Sequence, residues 1–264
     1  MRNFGIELEF TSQDKTIDRM AEIIEANTGQ KITVAGYFNK QNKWRLKSDS
    51  SIRGRNGMEF VTPILKTQED LDKVKKIAQV IIDNGGRINN SCGFHVHIDV
   101  TDKDEKPMRR LMKYILKYEM AIESLVSKSR RGFSNSYCSS VNRDFDHNLW
   151  EMFGGLDGKS LRHLIRRSVF RNRNSKWNFQ NYWEQGSFES RAHQGTLNPE
   201  KIEKWVQLNQ AIVSSAFDHI GTRIKRADKV GTYNTKDFLS DLVKKELITN
   251  STKSYFLNRM EELA

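Results

Sequence analysis

The sequence predicts an α+β fold, a sheet covered by helices, on three observations. Four short segments alternate apolar and polar residues with period two, longer segments repeat apolar residues at helical spacing, and the two kinds are interleaved along the chain. No internal repeat or low-complexity tract interrupts them. A length of 264 residues suits one large domain or two small ones. With 37% hydrophobic residues, including 14 Phe, 7 Tyr and 5 Trp, the chain can build a core and is not extended disorder. Only 3 Pro and 16 Gly occur, which excludes collagen-like and linker-rich designs.

The first helix is expected over about Lys15 to Ala26, with Ile17, Met20, Ala21 and Ile24 on one face and Gly29 just past its end. A second begins near Thr67, whose spacing to Asp70 reads as a capping box. It carries Leu71, Val74, Ile77, Ala78 and Ile81 and stops at Gly85 and Gly86. The third starts at Pro107, a favourable first-turn position, and repeats Met108, Leu111, Met112, Ile115, Ile122 and Leu125. Pro199 opens a fourth with Ile202, Trp205, Val206, Val213, Ala216, Phe217 and Ile220. These faces read as core. After Arg223, amphipathic segments around Phe238 to Leu247 and Ser254 to Leu263 form a helical appendage. The chain thus divides into residues 1–224 and 225–264, joined near Lys225 to Gly231.

No window approaches the run of about 18 apolar residues that a membrane span needs. Glu7 and Glu9 interrupt the N-terminal segment where a secretory signal would be apolar, so a cytoplasmic location is expected. Cys92 and Cys138 have neither metal-type spacing nor the array of a disulfide scaffold, and read as reduced thiols. The net charge of +11 suits either a polyanionic partner or plain solubility.

Chemistry enters with the strands. Phe4, Ile6, Leu8 and Phe10 alternate with Gly5, Glu7 and Glu9, so the two glutamates share a face about 7 Å apart. In Cys92-Gly-Phe-His-Val-His-Ile-Asp99, His95, His97 and Asp99 share the polar side. Glu189, Arg191 and His193 do so in the segment after Gly186, and Glu59 lies between Met58 and Phe60. The plain alternative is that these are solvated faces of a sheet covered on one side. Lysine, abundant elsewhere, is absent from all four segments, which a merely solvated face does not explain. Four carboxylates on one face would repel one another and need a counter-charge. Hard divalent cations prefer carboxylate oxygen with an occasional imidazole, so Glu7, Glu9, Glu59, Glu189, His95 and His97 favour Mg²⁺ or Mn²⁺ over structural zinc. Arg191, two residues from Glu189, could grip a phosphate beside the metal.

In order, Gly5-Ile-Glu-Leu-Glu-Phe10, Trp44-Arg-Leu-Lys-Ser-Asp-Ser-Ser-Ile52, Gly57-Met-Glu-Phe-Val-Thr-Pro63, the Gly-Phe-His-Val-His segment and Phe188-Glu-Ser-Arg-Ala-His-Gln-Gly-Thr-Leu-Asn-Pro199 resemble the amidoligase family. That family is a branch of the carboxylate-amine ligases related to glutamine synthetase and glutamate-cysteine ligase. The resemblance covers about residues 1 to 220. It implies a curved, mainly antiparallel sheet, a glutamine synthetase-like catalytic fold, with ATP and Mg²⁺ (or Mn²⁺) on the concave face and helices outside. It implies metal ligation by Glu7, Glu9, Glu59, His95 and Glu189, with Glu7 also near the nucleotide phosphates. His97 falls nearer nucleotide or substrate, and Arg191 on the transferred phosphate. Arg130, with Arg131, resembles a position touching anionic substrate or phosphate, a solvated charge run being the alternative. Asp49 and Ser51 match a loop usually written with glycine between them, where this chain has Ser50. Cys138 and Ser136 are not required by this chemistry.

The activity so implied is ATP-dependent amide or isopeptide formation through an acyl phosphate, joining a carboxylate substrate to an amine such as an amino acid, peptide or polyamine. Two alternatives stand beside it: a binding module for nucleic acid or an acidic protein, and a phosphotransferase that stops at a phosphorylated product. The stretch Lys159 to Trp183 bears on the first. It mixes Lys159, Arg162, Arg166, Arg167, Arg171, Arg173 and Lys176 with Phe170, Trp177, Phe179, Tyr182 and Trp183, which suits phosphates and stacked bases. An amphipathic helix with a cationic side, leading into an aromatic core segment, accounts for it equally.

Overall fold

The computed structural model describes residues 1–36, 42–132, 135–140, 160–167, 169–218, 223 and 233–264. The expected join at Lys225 to Gly231 lies outside the described residues, as does Lys159. In chain order the elements are β1 (Phe4–Ser12), α1 (Ile17–Thr28), β2 (Thr33–Val34), β3 (Arg45–Ser48), β4 (Gly57–Val61), α2 (Gln68–Asp83), β5 (Gly86–Arg87) and β6 (Gly93–Asp99). There follow α3 (Glu105–Glu123), α4 (Leu161–Arg167), β7 (Trp177–Asn178), α5 (Asn181–Glu184), β8 (Ser187–Gln194), α6 (Pro199–Phe217), α7 (Thr235–Lys244) and α8 (Asn250–Glu262). The fold is α+β, as predicted, and falls into two compact units: Met1–Ile98 with His193–Val206, and Asp99–Ala192 with Gln207–Ala264.

The first unit is built around β1. It pairs antiparallel with β4 on one side and β6 on the other, and its end pairs with β5. β3 is antiparallel to β4 and β2 parallel to β3, giving the order β2-β3-β4-β1-β6. The period-two pattern is realised: Phe4, Ile6, Leu8 and Phe10 of β1, Met58 and Phe60 of β4, and Phe94, Val96 and Ile98 of β6 are all buried. α1 packs on α2 and on β2 and β3, while α2 also packs on β5. α1 begins two residues later than expected because Thr16 caps it, accepting from the Arg19 N–H. It ends on Gly29, whose φ of 71° is the left-handed closure that glycine adopts without strain. α2 starts on the expected capping box of Thr67 and Asp70. Lys75 of α2 reaches Glu203 of α6 at 2.7 Å, and Trp205 packs at a tilt against His193, which meets Phe94 edge-on, so His193 lies among core rings and not on the polar side its alternation with Ala192 suggested.

In the second unit α3 buries its expected apolar stripe. It starts at Glu105 because Asp104 caps it, which puts Pro107 inside the first turn, where its missing N–H is harmless. The inner side of α3 also carries charge. Glu119 is fully buried and accepts from the Trp177 indole N–H at 2.9 Å and the Ser140 hydroxyl at 2.7 Å. Glu123 pairs with Lys176. Lys176 is fully buried, so this cation of the basic stretch is not on the exposed cationic side that its neighbours suggested. Arg162, His163, Arg166, Arg171 and Arg173 are exposed. Phe170, Trp177 and Phe179 instead form core with Phe188, and the Tyr182 hydroxyl donates to the Lys103 carbonyl. Phe170, Trp177 and Phe179 are thereby withdrawn from any base-stacking surface, while Tyr182 is half-buried and Trp183 exposed.

α7 and α8 start on Asn234 and Thr249, side-chain caps that set their boundaries a few residues before the apolar pattern does. Phe238 packs on Tyr114 and Tyr118 of α3, and the Thr235 hydroxyl donates to the Ala121 carbonyl. Arg131 donates to the carbonyls of Ser124, Val126 and Leu263, which ties the ends of α3 and α8 and defines Arg131 as a structural cation. Cys92 and Cys138 are buried and are not disulfide-bonded. Among the described residues no helix is long and apolar enough to cross a membrane.

Candidate metal centre and active site

Strand register brings the first unit's polar residues together. Glu9 lies directly opposite Glu59 across β1 and β4, Lys47 opposite Glu59 across β3 and β4, Glu7 opposite His95 and Gly5 opposite His97 across β1 and β6. Directly opposed like charges on a sheet are destabilising unless compensated. Here His95 lies between the two glutamates of β1: its Nδ1 is hydrogen-bonded to Glu7 Oε2 at 2.9 Å and its Nε2 stands 3.7 Å from Glu9 Oε1. His97 Nε2 is 3.3 Å from Glu7 Oε1. The Gly93 N–H donates to Glu9 Oε2 at 2.6 Å, and the Lys47 ammonium sits 2.5 Å from Glu59 Oε2. Glu9, Glu59 and His95 are 7%, 4% and 3% exposed, so the solvated-face reading fails for them.

Burial and charge pull the carboxylates apart. Burial pushes Glu59 up, the neighbouring Glu7 charge pushes it further, and Lys47 offsets only part, leaving it well above the usual carboxylate range. Burial acts on Glu7 in the same direction, but the imidazoles of His97 and His95 overcome it and hold Glu7 well below that range. Lys47 responds to burial and to its partner: Glu59 outweighs the desolvation and raises it.

One ligand atom each from Glu9, Glu59 and His95 lies within 4.8 Å of the others. Two buried carboxylates and an imidazole, with no thiol in the set, fit a hard divalent cation in donor chemistry as well as spacing. Glu7 on Nδ1 assigns the proton to that nitrogen and turns the lone pair of Nε2 toward Glu9, as a carboxylate behind a metal-binding histidine usually does. Gly93 is required by this packing. A Cβ there would stand 2.7 Å from His95 Nε2 and 3.3 Å from Glu9 Oε2. Gly93→Ala is therefore expected to weaken Mn²⁺ binding about tenfold or more, the scale of displacing a metal ligand's support. Calorimetric titration reads it, and unchanged affinity would show that the histidine does not face the ion.

Glu189 and Arg191 belong to the second unit and project from the same side of β8. Glu189 is 3% exposed; its Oε2 accepts from Asn178 Nδ2 at 2.7 Å and Asn181 Nδ2 at 2.8 Å, and its Oε1 from Arg191 Nη1 at 2.7 Å. The Arg191 Nε–H also reaches the Tyr137 carbonyl at 3.3 Å. Arg130 is buried in a single turn of 3₁₀ helix, Lys128–Arg130, rather than standing in a solvated run. Asp49 Oδ1 accepts from the backbone N–H and hydroxyl of Ser51, closing a side-chain turn. Ser50 does not enter the left-handed region, so the turn does not require the family's glycine. Asn178 and Asn181 fall outside every motif, and Lys47, although inside the Trp44 to Ile52 motif, is not among the expected site residues; its alternation with buried Leu46 puts it on the polar side of β3.

The sequence model of the family described as "Putative amidoligase enzyme" matches residues 1–213. No curated protein matches the chain in sequence. Similar solved structures include a GmaS/ADP complex in conformation 1, at 11% identity and a TM-score of 0.48 over 99% of this chain and 68% of that one. A novel glutamine synthase homolog gives 12% identity and 0.47, over 99% of this chain and 65% of that one. The Plasmodium falciparum glutamine synthetase seen by cryo-electron microscopy gives 11% and 0.48, over 98% and 71%. The chain thus spans 65 to 71% of the length of these structures.

Proposed function

The chain belongs to the amidoligase family, and from that premise we propose that it is an ATP- and Mg²⁺-dependent (or Mn²⁺-dependent) carboxylate-amine ligase that forms an amide or isopeptide bond through an acyl phosphate. The observation that carries the reading is the burial of Glu9, Glu59 and His95 within reach of one another. A binding module gains nothing from crowded, desolvated carboxylates, which cost stability until a cation joins them. Glu9, Glu59 and His95 would hold the ion, with Glu7 orienting His95, and the resemblance adds Glu189 as a ligand. Bound there, a divalent cation supplies charge neutralisation and alignment for ATP phosphates.

The chain's own residues do the rest. Arg191 neutralises charge on the transferred phosphoryl group as a substrate carboxylate oxygen attacks the γ-phosphorus and ADP leaves. The resulting acyl phosphate is attacked at its carbonyl carbon by an amine nitrogen, phosphate departs, and the amine loses a proton. Glu7, held ionised by His95 and His97, keeps the nucleotide side of the site at fixed charge, with His97 beside nucleotide or substrate. Arg130 is the further anion contact that the resemblance suggests. No covalent enzyme intermediate is needed, since positioning and electrostatics carry this chemistry. We place the reaction in the cytoplasm, where ATP and Mg²⁺ are available and buried Cys92 and Cys138 stay reduced.

Purified protein with ATP, Mg²⁺ and mixed pools of amino acids, polyamines and acceptor peptides is expected to give an amide product with equal amounts of ADP and phosphate, only when acid and amine are both present. Mass spectrometry reads the product. A phosphorylated acid as end product would move the assignment to a phosphotransferase. Absence of any divalent-ion-dependent ATP binding, with salt-sensitive binding of nucleic acid in its place, would overturn the ligase reading.

A further inference from the structure

We infer that Asn178 and Asn181 are positioning residues whose two side-chain amides fix Glu189 so that Arg191 is aimed at the transferred phosphate. For its effect on turnover the inference rests on the ligase reading; its geometry stands apart from it. Both asparagines are 5% exposed and lie in the segment Trp177 to Trp183, whose aromatic members Trp177 and Phe179 are core. Polar residues at 178 and 181 within such a segment have a common target, a single oxygen of Glu189.

The orientation of Asn178 follows from chemistry. Its side-chain oxygen accepts from the Gln180 backbone N–H at 2.9 Å, and a backbone N–H can only donate. Nδ2 must then face Glu189, which accepts it. Asn181 adds a second amide donor to the same oxygen. Two donors on Oε2 arrest rotation of the carboxylate and present Oε1 to Arg191 Nη1, while Tyr137 holds Nε. The neutrality of the donors matters. A lysine in either position would satisfy Glu189 but would compete with Arg191 for its charge, whereas an amide fixes direction and leaves the full carboxylate charge for the guanidinium.

Asn181→Ala is the cleaner variant, since Asn178 also holds the Gln180 N–H. Its expected result is a fall in kcat of about 10- to 100-fold, the usual scale for groups that orient a side chain in contact with the reacting atoms. The KM for ATP should change by no more than about twofold, because the lost alignment is used in the transition state. In an Arg191→Ala background the same substitution should cost nothing further, as expected for residues acting as one unit. Nitrogen-15 NMR supplies the readout free of turnover: the Arg191 Nε–H signal, assigned by its loss in Arg191→Lys, is shifted and slow to exchange in the wild type and joins the bulk arginine signals in Asn181→Ala. Asn181→Ser, too short to reach Glu189, replaces the alanine variant if that one does not fold. An unchanged Arg191 signal, or additive losses in the double variant, overturns the positioning role. A wild type without turnover but with the shifted signal sinks the ligase reading and leaves the geometry intact.

Discussion

Glu59→Gln is expected to melt no lower than the wild type in the absence of divalent cation and to lose the rise in Tm that millimolar Mn²⁺ gives the wild type. Glu59 is almost wholly buried opposite Glu9, and burial together with the Glu7 charge raises its carboxyl well above the usual range despite Lys47. The folded protein therefore holds a proton on Glu59 that the unfolded chain has already released. Between the ordinary carboxylate value and the raised one the native state binds more protons, so its stability falls as pH rises through that window. Glutamine mimics the neutral form and removes this slope. Glu7 works with the opposite sign outside that window: its lowered carboxyl contributes stability above the ordinary value that is lost only as pH falls through its folded one.

A cation bound only by the folded state adds about 2.7 kcal/mol at a hundredfold excess over Kd, several degrees of Tm for a chain of this size. Removing one of the few protein ligands should erase most of that gain. Scanning fluorimetry across pH, with and without Mn²⁺, reads both effects. Equal stabilisation of variant and wild type by Mn²⁺ would remove Glu59 from the metal set. The stability gained by losing a charge at a site that needs it is the familiar exchange between folding and function.

The legible part of this site was the part written by a local period. Alternation in β1, β4, β6 and β8 places Glu7, Glu9, Glu59, His95, His97 and Glu189 opposite the apolar residues of their strands, because a strand cannot hide which residues share a face, whereas His193 departs from the pattern and packs on the core rings of Phe94 and Trp205. It does not say which strands are neighbours. The opposition of Glu9 to Glu59 and of Glu7 to His95 depends on register, a property of pairs of segments up to 88 residues apart. Lys176 was misread for the same reason. Within its run it is one more cation beside Arg171 and Arg173, and only Glu123, 53 residues earlier, draws it into the interior. Asn178 and Asn181 were silent because an amide has no charge pattern to betray it. The helix ends erred where a capping side chain outranked a proline or an apolar stripe: Asp104 set the start of α3 ahead of Pro107, and Asn234 and Thr249 set those of α7 and α8. Apolar periodicity reports the buried face of a helix and is indifferent to its first turn.

Arg191→Ala should lower ATP-dependent turnover by about 10³-fold or more while leaving the fold in place, on the scale of removing a guanidinium from a phosphoryl-transfer site. The backbone of β8 is independent of the side chain: the Arg191 N–H donates to the Lys176 carbonyl, and Trp177 and Asn178 pair with Ser190 and Glu189. Glu189 keeps the two asparagine amides after the substitution, so the variant does not leave a bare buried carboxylate. What disappears is a planar cation with two of its nitrogens already anchored, Nη1 on Glu189 and Nε on Tyr137, and so held without much further ordering when charge develops on the phosphoryl group. Arg191→Lys should recover only a small part. An ammonium is a point charge that can reach Glu189 or a phosphate oxygen but cannot keep the anchored fork while offering the other nitrogens to the ligand. Equilibrium affinity for ATP should fall far less than kcat in both variants, since the interaction strengthens as charge moves onto the transferred group. Single-turnover ADP formation alongside calorimetric ATP binding separates the two quantities, and a loss confined to binding would reassign Arg191 from the transferred phosphate to ground-state recognition of the nucleotide.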